Sequence, residues 1–182
     1  MKLLPLLLIL STSVAQCQDF PFSISQLAAM QHMNLNSINE SMVEANMVFC
    51  DASNGDDNNF PIVRYRLPSG LDFNRDVALV DFEYCRGKET NRVLINLYDI
   101  AFHYNKLLNE LLESEFKLIK AYKKTTSKHD DAVQIYQNSR NTVYCILRDH
   151  EKNDRGTIER YEADYTYYFW IVSNSDYKKN LR

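Results

Sequence analysis

The chain has 182 residues, 45% hydrophobic and 25% charged, with a formal net charge of −3. That is enough apolar material for one domain with its own core. Its basic residues are interleaved with acids rather than gathered into a stripe, which excludes an electrostatic nucleic-acid binder.

The opening "MKLLPLLLILSTSVAQC" has one positive charge at Lys2, an apolar run from Leu3 to Leu10, and small residues at Ser13, Val14 and Ala15. This layout predicts a secretory signal peptide over 1–15, leaving 16–182 as a single secreted globular domain. The apolar run is too short to span a bilayer, and no later stretch approaches the roughly 18 continuous apolar residues of a membrane helix. Loss of Lys2 with the leader takes the mature charge to −4.

After Pro21, Ser23 and Gln26 have capping-box spacing, and apolar residues recur at Ile24, Leu27, Leu35, Ile38, Met42, Ala45 and Phe49, which predicts a helix over 23–49. Asn39-Glu40-Ser41 fits the N-glycosylation sequon, whose use would place Asn39 in solvent, with Ile38 and Met42 forming the buried side. "DASNGDDNNFP" (51–61) reads as a loop. Its acids do not make a calcium site: counted from Asp51, the sixth position is Asp56 rather than Gly and the twelfth is Ile62 rather than Glu. Next, Val63, Tyr65 and Leu67 alternate with Arg64 and Arg66, and Val80, Phe82 and Tyr84 alternate with Asp81 and Glu83; both stretches predict half-buried strands.

Neither Gly nor Pro occurs between Gly87 and Gly156. From Thr90 to Lys124, Val93, Leu97, Ile100, Tyr104, Leu107, Leu111 and Leu118 follow three-four spacing, which predicts one long central helix. Ser127 and Asp130 are placed to start another helix. "NTVYCILRD" fits either a helix or a strand with Val143, Cys145 and Leu147 on one face, and 150–156 is a polar turn by composition. Toward the C-terminus, Tyr161, Ala163, Tyr165, Tyr167, Phe169 and Ile171 occupy every second position, predicting a strand with its odd face inward. Tyr168 and Trp170 then project to the other face. Large rings with polar tips suit a binding surface, which makes these two the candidate ligand contacts.

The pattern of elements predicts an α+β fold, an antiparallel sheet packed against a long central helix and an N-terminal helix, built as two helix-plus-strands halves. The alternative is an all-α bundle in which 71–86 and 157–175 are helical. Cys17, Cys50, Cys85 and Cys145 make an even number in an exported chain and predict two disulfides, Cys50–Cys85 and Cys17–Cys145 being the favoured pairing. Cleavage after Cys17 instead would leave one thiol over and point to an intermolecular bridge.

Chemical motifs are sparse. His32, His103, His129 and His150 form no HExxH pair, and no CxxC, G-x-S-x-G elbow or phosphate-binding loop occurs. Metal and cofactor are therefore expected to be none. A glycosidase needs two positioned carboxylates; Glu162 and Asp164 beside the aromatic run are the forced choice. The reading that emerges is a secreted, disulfide-stabilised, non-enzymatic binding protein engaging an extracellular protein or a small apolar ligand. Its rivals are a helical signalling protein and a hydrolase whose histidine meets an acid only in three dimensions.

Overall fold

The computed structural model describes residues 19–55, 60–69, 76–84, 91–98, 101–126, 129–149 and 165–180. The elements run α1 (Ile24–Met30), α2 (Leu35–Glu44), β1 (Val48–Ser53), β2 (Ile62–Pro68), β3 (Asp76–Glu83), β4 (Arg92–Tyr98), α3 (Ala101–Glu113), β5 (Lys117–Thr125), β6 (Asp130–Gln137), β7 (Asn141–Asp149), β8 (Tyr165–Ser173) and α4 (Asn174–Asn180). The eight strands form one sheet in the order β1-β2-β3-β4-β8-β7-β6-β5, antiparallel throughout.

This is an α+β fold, and the all-helical alternative falls. The chain is written twice: helix then four-strand meander in α1–β4, and again in α3–β8. The last strands of the two halves meet at the centre, where Ile95 lies opposite Phe169. Alternation puts Tyr65, Leu67, Val80, Phe82, Val93, Ile95, Leu97, Val143, Cys145, Phe169 and Ile171 into one buried cluster with Leu27, Ile38, Met42, Leu107 and Leu111 from the helices. The aromatic run near the C-terminus is thus a central strand with its odd face inward, as its period predicts. The strands at 62–68 and 76–83 also fall where alternation places them.

Three predicted helices are corrected. The one over 23–49 is two short helices and the first two residues of β1. The capping box at Ser23 forms as read, but Asn34 starts a second helix by accepting from the Ser37 backbone N–H. Asn46 ends that helix in the left-handed conformation, φ 58°. Its N–H bonds the Val43 carbonyl, the Met47 N–H bonds the Met42 carbonyl, and buried Met47 and Met42 flank the reversal. This is the Schellman arrangement with Asn in the place glycine usually takes. The loop assigned to 51–61 accordingly begins as strand, through Ser53.

The long central helix over 90–124 does not exist; that stretch is β4, the 13-residue α3, and β5. The helix begun at Ser127 is β6 instead; Ser127 itself lies outside the described residues, as do the turn at 150–156 and the signal segment at 1–15. Side-chain oxygens make the reversals that glycine and proline would otherwise signal. Ser114 Oγ donates to the Leu111 carbonyl at the end of α3. Between β6 and β7, Asn138 Oδ1 accepts the Arg140 and Asn141 N–H groups at 2.9 and 2.7 Å.

The helical layer is unequal. Two helices and buried Phe20 and Phe22 serve the first half, and α1 also reaches β8 at the seam, whereas the outer strands of the second half are faced on this side by α3. Tyr104 of α3 packs on Tyr167 and Phe169, with centroids 4.8 and 5.2 Å apart, so the helix sits over the centre of the sheet. The outer strand β5 is exposed at every position. Lysines 117, 120, 123 and 124 and a register shift between Leu118 and Lys120 guard this edge against pairing with another chain.

Candidate functional site

The unequal cover leaves a groove of about 670 Å³ between α3 and the outer strands of the second half. Tyr104 and Leu108 form one wall; Ala121 and Lys123 of β5, Ala132 and Gln134 of β6, and Leu147 and Asp149 of β7 supply the floor and rim. The size falls within the roughly 300–1,000 Å³ of small-molecule sites, and the lining follows their usual recipe of an apolar body with a few polar groups.

The walls are fixed from behind. Leu107 and Leu111, beside Tyr104 and Leu108 on the same apolar stripe of α3, are buried in the main core and anchor the helix. Gln134 Oε1 accepts from the Tyr136 hydroxyl at 3.3 Å, so that side chain is oriented. At the rim, Lys123 and Asp130 pair at 2.7 Å. Asp131 accepts from Arg148 Nε and Nη2 at 2.9 and 3.1 Å. Asp149 is exposed and has no ion-pair partner among the described residues.

The residues singled out by sequence lie elsewhere. Trp170 and Tyr168 are on the opposite face of the sheet, where α4 packs. Trp170 joins Val133, Ile135, Tyr144, Val172 and Tyr177 in a second, smaller cluster. Its ring lies 5.4 Å from Tyr144 and 5.7 Å from the Arg92 guanidinium. Tyr168 is half-buried beneath Arg148, 4.9 Å from its ring centroid. These two rings pack under cations and are not brought to the groove.

Cys50 is exposed on β1 and Cys145 is buried in the main core; no disulfide is formed among the described residues, and Cys17 and Cys85 lie outside them. Burial pushes the Cys145 thiol well above its ordinary pKa, which makes it a poor nucleophile. Asn39 is exposed on α2 at the edge of the face that buries Ile38 and Met42, and its Oδ1 accepts from the Tyr65 hydroxyl at 3.2 Å.

Of the groups considered for hydrolysis, His103 is buried under α3. His129 approaches Asp131 at 3.6 Å, but both Asp131 oxygens already serve Arg148. Glu162, Asp164 and His150 lie outside the described residues. Among the described residues no cluster of three or more His, Cys, Asp or Glu is placed to hold a metal, and no helix is long and apolar enough to cross a membrane. No known family, curated protein or solved structure matches the chain.

The groove wall also carries a pH signature. Burial raises the phenol pKa of Tyr104 and Tyr144, pushes Tyr84 up to about 12, and raises Tyr65, Tyr98 and Tyr136 in the same direction. An acid whose folded pKa is raised ionises first in the unfolded chain. The stability these tyrosines contribute is therefore intact below pH 10, their ordinary value, and is lost as pH climbs toward the folded values. Alkaline titration is expected to show phenolate absorbance at 295 nm rising in one steep step together with loss of far-ultraviolet ellipticity. Gradual, independent ionisation near pH 10 with the fold intact would contradict this burial.

Proposed function

We propose that the protein is a secreted, disulfide-stabilised binding protein without a catalytic role, and that it carries a small, largely apolar ligand in the groove beside α3. The observation that carries the reading is the uncovered half of the helical layer, with Tyr104, Leu108, Ala132 and Leu147 facing an open volume rather than another helix. Export rests on the leader pattern at 1–15, and the two disulfides and a glycan on Asn39 belong to the same extracellular setting.

Native mass spectrometry of the protein collected from culture medium tests this in one experiment. The expected species is the chain cleaved after Ala15, oxidised at its cysteines, with a small organic mass that leaves on denaturation. A bare chain with no retained mass, from medium that supplies lipids and amines, would count against carriage. Full retention of residues 1–15 with free thiols would remove the secreted setting.

A further inference from the structure

The groove's rim carries a net negative charge, and this bears on what it holds, given the binding reading above. Four ionisable side chains line it, Lys123, Asp130, Asp131 and Asp149. Lys123 is engaged by Asp130 at 2.7 Å, and Asp131 by Arg148, whose guanidinium lies over Tyr168 on the other face. His129 stands 3.6 Å from Asp131 and shares that already neutralised carboxylate. One charge is left over, the Asp149 carboxylate. It follows Leu147 on the same face of β7, so it stands at the mouth of the apolar floor. The adjoining wall is aromatic: Tyr104 packs on Tyr167 and Phe169 and faces the groove.

We infer that the groove selects a small organic cation: an aromatic or aliphatic body seated against Tyr104, Leu108 and Leu147, with a protonated amine directed to Asp149. A carboxylate ligand such as a fatty acid would bring a second negative charge to the same rim, where the one lysine is already paired. The π-face of tyrosine attracts a cation and does nothing for an anion. Both effects favour the amine over an acid of equal apolar size, by about tenfold at low salt, and added salt shrinks the difference.

The test uses the full mature protein and two probes with one ring system, 2-(1-naphthyl)ethylamine and 1-naphthylacetate, titrated by calorimetry at pH 7. The amine is expected to bind about tenfold more tightly. Asp149→Asn, a change at an exposed position, is expected to bring the two affinities together without moving the melting temperature. Equal binding of both probes, or tighter binding of the carboxylate, would overturn the charge preference while leaving the groove as a site. An amine preference that survives in Asp149→Asn would overturn the role of Asp149. Binding of neither probe would overturn the groove reading itself, and the cation preference with it.

Discussion

Asp176→Ala is expected to destabilise the protein by about 3 kcal/mol, the cost of taking from a buried cation its two-oxygen partner. Arg92 on β4 and Asp176 in the first turn of α4 are both nearly fully buried, and the guanidinium donates to both carboxylate oxygens, Nη2 to Oδ1 at 3.2 Å. Glu83 reaches the same guanidinium at 3.4 Å, while the rings of Phe60 and Trp170 lie 4.4 and 5.7 Å from it. The pair ties the last helix to the middle of the sheet and closes the lid on the second cluster. The chain has one tryptophan, and it sits in that cluster. The substitution should therefore redshift Trp170 emission as well as lower the denaturation midpoint. The triple change Arg92→Met, Asp176→Leu and Glu83→Gln is expected to recover most of the loss, because no charge of the cluster is then stranded. An unshifted emission and a midpoint within error of the parent would show that α4 is not clamped.

Phe169→Ala is expected to cost about 3–5 kcal/mol, a large part of the stability of an ordinary domain. Phe169 is completely buried, with Ile95 on one side, Cys145 on the other and Tyr104 stacked above it 5.2 Å away. It lies at the seam where the two halves join, so its loss opens a cavity no single helix can collapse into. Urea denaturation followed by circular dichroism reads the midpoint. Ala132→Ser, exposed on β6, serves as the silent comparison. A loss below 1 kcal/mol for Phe169→Ala would mean that the halves are not held together at this seam.

Much of the sheet was legible because one face is wet and the other dry. In β2 and β3, arginines and acids mark the outer face, and in the last strand the odd residues mark the inner one. Reading failed where both faces of a strand are apolar. Val93, Ile95 and Leu97 point into the main core, but Leu94 also meets Trp170 across the sheet, so a period of two was hidden inside a three-four spacing. The long helix followed from that, and from treating glycine and proline as the only breakers. Asn46, Ser114 and Asn138 break the chain here instead, through a left-handed backbone and side-chain hydrogen bonds.

The groove had no signature in the sequence for a different reason. Tyr104 and Leu108 were visible only as part of a core-facing stripe, since the stripe itself does not say how many helices cover each half of the sheet. Ala121, Ala132 and Asp149 become neighbours of that helix through strand order alone. Tyr168 and Trp170 drew attention by their rings, yet Arg148, Arg92 and α4 already occupy them.

If the space beside α3 holds the ligand, filling it removes binding. Ala132 is small, exposed and part of the floor, so Ala132→Trp inserts a ring into the groove without touching the core. Titrated with the neutral fluorophore N-phenyl-1-naphthylamine, the parent protein is expected to bind one molecule with enhanced emission. The variant, folded and equally stable, is expected to bind at least tenfold more weakly. Equal binding by the two proteins would show that the ligand does not sit in this groove.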